Sequence, residues 1–365
     1  MIEKLILKNF KCFEDISMNF SAVNVLTGLN GMGKSTIMQS ILLISQSQRN
    51  IFLENVISLS GKYINLGTGQ DILYEKADKD EINISIEIDG KKESFSLEYQ
   101  PEMDSLPLKE IELGESKSFF EQKMDSLFYL SAYRIEPQML YRIENESELE
   151  KRHFGKNGEY AIQYLKLHGS DETQNKEIII GDKNKTTIFD QVKTWLDVIS
   201  PGVSPVININ PLSRTAELNY EYIEGREKTN SYKSVNVGFG ITYVLPIVVG
   251  LVSAKPGDIF LIENPEAHIH PRGQRMLGEL IAAAGAGGVQ VIMETHSDHV
   301  LNGIRVAVKK EKLNPEKTGL FYFYKDAEDS YKHRVTCPVL DKNGRLDQWP
   351  EGFFDEWDNA LLELL

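Results

Sequence analysis

Residues 21–44 constrain this chain more than any other stretch. A short apolar run, Val23, Val25 and Leu26, meets Gly28-Leu29-Asn30-Gly31-Met32-Gly33-Lys34-Ser35, and an apolar-periodic segment begins directly after it. The pattern is G-x-x-x-x-G-K-[ST] between a strand and a helix, the context that gives a phosphate-binding loop its meaning. Glycines let successive backbone N–H groups curl around an anion at a helix N-terminus, whose dipole already favours negative charge. The nucleotide-binding residues expected from this loop are Asn30, Gly31, Met32, Gly33, Lys34, Ser35 and Thr36. Lys34 is expected to reach the β- and γ-phosphates of ATP, and the Ser35 hydroxyl to ligate Mg²⁺.

Composition narrows the setting. With 365 residues and 41% hydrophobic content, the chain can build a sizeable core. Its longest apolar stretch, Tyr243 to Val252, is short of a membrane span and is interrupted by Pro246. The N-terminus reads as a strand, not a signal peptide, so a cytoplasmic protein is expected. Cys12 and Cys337 make no metal-type pair. A formal charge of −14 argues against a whole-molecule grip on nucleic acid, while leaving a local basic groove open.

Along the chain, Met1 to Phe20 alternates as two strands with a turn near Asn9 to Cys12. A helix is expected over about Ser35 to Ser47. Residues Glu81 to Tyr99 predict a hairpin turning at Asp89-Gly90, a pair suited to a type I′ turn. Pro101 to Asp125 is polar and poorly patterned, and reads as a surface excursion. Glu144 to Arg152 reads as a solvated helix face, Ser170 to Lys185 as a mobile connection, and Ile188 to Ile199 as a helix. Strands are expected over Val206 to Asn210 and Ala216 to Tyr222. Antiparallel strands beside a phosphate-loop core predict an α/β fold with two lobes, a mixed parallel core sheet and an antiparallel β subdomain.

The last third carries the second half of the chemistry. Asp258 to Glu263 is a buried strand that delivers a carboxylate at its end, the Walker B arrangement in which Glu263 holds the Mg²⁺ shell. Ser234 to Gly240 opens an apolar helix with small residues. Val289 to Met293 is a strand ending in Glu294-Thr295-His296-Ser297.

That order resembles the ABC-type ATPase head, in the branch containing the SMC, RecF and OLD proteins, over Met1 to about Arg305. Leu-Lys-Asn-Phe-Lys-Cys-Phe at the N-terminus looks like the opening strand of that branch. Leu261-Ile262-Glu263 with Pro265-Glu266 and His270-Pro271 looks like its Walker B and D-loop, and Thr295-His296-Ser297 like its switch histidine. Val237-Gly238-Phe239-Gly240 falls at the signature motif, and Ser131 to Gln138 at the Q-loop, making Arg134 and Gln138 its candidates. A group of small ABC-type ATPases of unknown function shares the E-N-P-E-A-H-x-H-P box and a W-P-x-G-F-F-D stretch, here Trp349 to Asp355. This resemblance implies a setting in bacterial anti-phage defence beside a separate effector. It also implies one ABC-type ATPase domain over residues 1–365. Its nucleotide-binding core would be 1–100 and 234–310, its inserted lobe 101–233, and its C-terminal strands and helix 311–365.

Two departures stand out. Asn264 occupies the place where such heads carry the glutamate that polarises water, and an amide orients water without taking its proton. Glu266 either substitutes for that base or serves as a structural acid of the D-loop. Gly238 replaces the signature serine, with Asn236 as an alternative donor. Both point to slow turnover, with Glu263, Asn264, Glu266 and His296 as the catalytic set. The expected function is an ATP-gated homodimeric switch, in which Asn236, Gly238 and Gly240 act in trans and the output passes to a separate effector. Two alternatives stay open. One is a metal-dependent hydrolase using His268, His270, His296 and His299 with Glu263, Glu266 and Asp298. The other is a nucleic-acid-binding scaffold with a vestigial ATPase. No membrane partner is expected.

Overall fold

The computed structural model describes residues 1–144, 154–225, 227–326, 328–329 and 331–364. The helix face expected over Glu144 to Arg152 lies, beyond its first residue, outside the described residues. The chain divides into two compact units: Met1–Leu127 with Thr318–Val339 and Leu346–Leu365, and Phe128–Lys317 with Leu340–Arg345.

The first unit begins with the alternating strands β1 (Ile2–Phe10) and β2 (Phe13–Asn19), then β3 (Val23–Gly28), helix α1 (Lys34–Leu53), β4 (Val56–Ser58) and the single turn α2 (Gly69–Ile72). The turn between β1 and β2 needs left-handed backbone at Asn9 and Lys11, and Asn tolerates it well. Strands β5 (Glu81–Ile88) and β6 (Lys91–Glu98) form the expected hairpin, with Asp89 and Gly90 both at positive φ. The Ile82, Ile84, Ile86 and Ile88 side chains are buried on one face, which fixes the register.

The supposed surface excursion is structured. Strand β7 (Ser105–Leu113) pairs with β6, and helix α3 (Lys117–Asp125) follows, capped by the Ser116 hydroxyl. Its alternation is hidden because the pairing steps from Leu108 opposite Leu97 to Glu110 opposite Ser96, leaving Lys109 as an extra residue. A bulge of this kind moves the apolar positions from even to odd numbers, so Leu106 and Leu108 fall out of phase with Ile111 and Leu113. The finished sheet runs β2-β1-β5-β6-β7-β4.

Within this sheet Glu93 is fully buried; its Oε2 accepts from the Gly114 amide at 3.0 Å, and among the described residues its Oε1 has no hydrogen-bond partner. Burial raises its carboxyl above the ordinary 4.5, with the Gly114 bond acting in the opposite sense. A raised carboxyl favours the protonated fold, so wild-type stability falls as pH climbs from 4.5 through the folded-state value. Glu93→Gln keeps an acceptor for Gly114 and removes the charge. Its advantage over wild type in urea unfolding should grow across that window and level off above it.

The second unit starts with β8 (Leu127–Leu130) and a two-residue strand β9 (Tyr141–Arg142). Helices α4 (Ala161–His168) and α5 (Ile188–Ile199) precede the hairpin β10 (Val203–Asn210) and β11 (Thr215–Glu224), with short β12 (Glu227–Lys228) and β13 (Tyr232–Lys233) on β11. The segment from Ser170 to Lys185 is held in place. Asn175 donates to the Ala284 carbonyl at 3.1 Å and Trp195 donates to the Ile178 carbonyl at 2.9 Å. Gln191 donates to the Ile180 and Lys185 carbonyls. Side chains of the following helix satisfy this backbone and the segment's own Asn175 ties it to α7, neither of which a periodic pattern announces.

Helix α6 (Phe239–Ser253) is buried all round after its first turn, as its uniformly apolar sequence demands. Strands β14 (Ile259–Glu263) and β15 (Gln290–Glu294) pair in parallel, joined by helix α7 (Pro271–Ala286), and β8 lies beside β14. Helix α8 (Asp298–Lys309) follows β15.

The chain then returns to the first unit. Strand β16 (Thr318–Lys325) pairs in parallel with β3 and antiparallel with β17 (His333–Thr336), and helix α9 (Glu356–Leu364) ends the described chain. Phe353 is fully buried against Tyr322, so the Trp349 to Asp355 stretch is anchored in this unit. The result is a mixed α/β fold with antiparallel and parallel sheets.

Candidate functional site

In the first unit the loop 28–33 closes around a lysine. Gly28, Gly31 and Gly33 all have positive φ, the last at 101° as the N-cap of α1. Only glycine fits at Gly28, because a Cβ there would lie 2.2 Å from the Phe323 carbonyl oxygen of the neighbouring parallel strand. Lys34 is buried, and its ammonium donates to the carbonyls of Gly28 at 2.8 Å and Leu29 at 2.9 Å. The loop tip faces outward, with Leu29, Asn30 and Gly31 exposed. Behind it, Cys12 Sγ lies 3.7 Å from the Thr36 hydroxyl, and burial raises the thiol, so this cysteine is packing and not a nucleophile. Helix α1 has no acidic residue in its first turn, which leaves its positive end uncompensated by its own side chains. A lysine held over a glycine-lined helix start is a fitting set of groups for the phosphates of a nucleotide.

In the second unit the parallel strands deliver two functional ends. Glu263, at the end of β14, is half-buried; its Oε1 accepts from the Tyr129 hydroxyl at 2.9 Å and its Oε2 from the Ala132 amide at 3.0 Å. Burial raises the Glu263 carboxyl, and those two bonds oppose the rise. Burial, with the adjacent Glu263 charge, raises the Tyr129 phenol, which keeps it protonated as a donor. A half-buried carboxylate with fixed orientation at a strand end suits a hard divalent cation such as Mg²⁺.

Asn264 follows in left-handed backbone, φ 44°, with its amide bonded to the Glu294 carbonyl at 2.8 Å. Glu266 is engaged by both oxygens: Oε2 accepts from the Thr295 hydroxyl at 2.7 Å and Oε1 from the His296 amide at 2.8 Å. The carboxylate thus fixes the backbone that carries the exposed His296 side chain. Ser297 caps α8 through Val300 and donates to Gln274 at 2.6 Å, tying the same turn to α7.

The expected Q-loop residues separate. Arg134 is 4% exposed, and its guanidinium donates to the backbone carbonyls of Ser131 at 2.9 Å and Glu263 at 2.7 Å, and also to that of Asn264. It stacks on the Tyr243 ring, 4.6 Å from its centroid, and burial lowers it to about 10. Gln138 is exposed, and its backbone joins Tyr141 and Ser234. Arg134 is a clamp on the Glu263-Asn264 turn.

At the signature stretch, Asn236, Gly238 and Phe239 are exposed around the α6 N-terminus, which has no side-chain cap. Gly240 has a packing reason: a Cβ there would lie 2.0 Å from the His268 carbonyl oxygen. Phe239 and Tyr243 pack on the His268 ring, and the Tyr243 hydroxyl donates to the Ala132 carbonyl. Tyr129, Tyr243 and the Ala132 amide are site residues that the sequence did not single out. Tyr129 sits in an apolar run where any aromatic reads as core.

Two of the histidines expected of a metal hydrolase have local duties. His268 is packed as above, and His270 accepts from the Arg272 amide at the start of α7. Among the described residues, no three His, Cys, Asp or Glu side chains converge to hold a metal ion. Among them, too, no helix is long and apolar enough to cross a membrane.

Comparisons with known proteins agree with this geometry. The family model described as "AAA domain, putative AbiEii toxin, Type IV TA system" matches residues 23–302, and one described as a protein of unknown function, DUF3696, matches 313–364. The OLD nuclease of Thermus scotoductus is 24% identical over 324 residues, covering 81% of this chain and 59% of that protein. The DNA replication and repair protein RecF of Cytophaga hutchinsonii is 34% identical over 104 residues, 27% of this chain and 26% of RecF. The chain therefore spans less than two thirds of the length of either relative. An SMC head bound to the C-terminal winged-helix domain of ScpA superimposes with a TM-score of 0.56 at 14% identity, covering 93% of this chain and 98% of that one. The SMC head with an extended coiled coil bound to the C-terminal domain of ScpA, from Pyrococcus furiosus, gives 0.53 at 14% identity, covering 100% and 99%. The fold is that of the SMC head, the sequence is similar to the OLD nuclease and RecF relatives above, and the chain belongs to the AAA-domain family whose model spans residues 23–302.

Proposed function

We propose that the chain is an ATP-binding and slowly hydrolysing ABC-type switch, which closes as a homodimer on ATP and signals to a separate effector. The observation that carries this reading is the loop that seats Lys34 on the Gly28 and Leu29 carbonyls at the start of α1. In this reading Lys34, with the amides of Asn30 to Thr36, binds the ATP phosphates, and Ser35 and Glu263 supply oxygen ligands to Mg²⁺. Bound Mg²⁺ offsets the charge that accumulates on the phosphates. Asn264 orients water, and Glu266 acts as a positioning residue through the His296 amide. His296 senses the γ-phosphate. Asn236, Gly238 and Gly240 serve the partner's nucleotide, where the uncapped α6 end provides free amides. The absence of a carboxylate at Asn264 favours holding ATP over cleaving it. A role in bacterial defence follows from the family resemblance and from the type IV toxin–antitoxin description of the matching family.

Nucleic acid is the second partner class this reading admits, because RecF is described as a DNA replication and repair protein. Binding of a fluorescent ATP analogue tests the first step. Saturable binding that tightens with Mg²⁺ and is displaced by ATP is expected. Failure to bind at millimolar analogue would remove the reading.

A further inference from the structure

The second unit carries a groove that the nucleotide reading does not use. It has a volume of about 740 Å³ and lies between β10 on one side and α4 and α5 on the other. Among the described residues β10 pairs only with β11, which makes it an edge strand. Five consecutive β10 residues, Ser204 to Asn208, line the groove. A strand face offers only alternate side chains, so successive lining residues mean that β10 presents its edge, backbone included. Pro205 fits an edge position, since it has no N–H to give a neighbouring strand. The opposite wall is apolar at Leu165 and Phe189 and basic at Lys166 and Lys193.

The charge in the groove runs against that of the molecule. The chain carries −14 overall, whereas the groove holds Lys166, Lys193 and Lys228 against Glu221 alone. Glu221 is already paired with Lys228 at 2.5 Å. Among the described residues neither Lys166 nor Lys193 has a carboxylate partner.

We propose that this groove binds an extended acidic peptide segment of a partner protein, which adds to β10 as a further strand. Main-chain hydrogen bonds to the open edge beyond Pro205, which itself has no N–H to give, would supply affinity, and alternate side chains would supply selectivity. The side chains on the helix side of the added strand would set apolar groups against Leu165 and Phe189 and carboxylates beside Lys166 and Lys193. A single-stranded nucleic acid fits less well. It calls for a series of aromatic platforms, and among the described residues the groove offers only Phe189.

The test uses the full chain and a panel of fluorescein-labelled twelve-residue peptides that place both valine and glutamate on each face of an extended strand. Saturable anisotropy is expected for these, and not for the valine–lysine counterparts. Binding should weaken about tenfold between low and high salt, because the attraction is screened. Hydrogen exchange should show protection at Val206 to Ile209 on peptide addition. The double variant Lys166→Glu, Lys193→Glu should lose binding by about tenfold or more, with ATP binding unchanged. Lack of saturable binding, equal binding by the charge-reversed variant, or protection elsewhere would overturn the proposal. So would tighter binding of an oligothymidine probe in the same groove.

Discussion

Lys34→Ala is expected to lower ATP turnover to background and weaken ATP binding by at least a hundredfold, while leaving the fold intact. The buried ammonium closes the loop 28–33 on the carbonyls of Gly28 and Leu29. Loss of a point charge against polyphosphate accounts for the size of the effect, since charge-assisted bonds are among the strongest available to a side chain. Steady-state phosphate release and equilibrium binding measure the two parts separately. Retention of wild-type turnover would show that the loop does not seat the substrate.

Arg134→Met is expected to have the largest effect on stability and an unusual effect on activity. The guanidinium satisfies carbonyls of Ser131, Glu263 and Asn264 from a buried position. Removing it leaves those acceptors without their donor and opens space beside Tyr243, a loss of about 3 kcal/mol or more. Because it acts on the Glu263-Asn264 turn and not on the phosphate loop, turnover should fall at least tenfold while ATP affinity changes little. Denaturant unfolding and the split between binding and turnover check both parts. Equal losses in binding and turnover at unchanged stability would contradict the clamp role.

These two residues also mark how far sequence alone reaches. Lys34 is legible because its partners lie five and six positions away, inside one local motif. Glu263 is legible for a similar reason: a run of apolar residues ending in an acid has one natural structural meaning. The role of Arg134 is not legible, since its carbonyl partners on the β14 turn are 129 and 130 residues distant. Tyr129 reaches Glu263 across 134 residues, and its phenol looks like any core aromatic in sequence. The duty of Glu266 was open between base and structural acid, and its bonds to Thr295 and His296 favour the positioning role proposed here. Fold class came through with these motifs. The β7 strand did not, because its bulge at Lys109 shifts the alternation that would have announced it. Side-chain anchors such as Asn175, Trp195 and Gln191 order the 170–185 segment without leaving a periodic trace.

ATP-dependent closure as a homodimer is the central claim, and sedimentation velocity measures it directly. With saturating Mg²⁺-ATP, the wild-type chain should shift to a species of twice the mass and return to the starting species as ATP is consumed. Lys34→Ala should remain at the starting mass throughout. A wild-type chain that binds ATP to saturation and keeps its original mass would contradict the account.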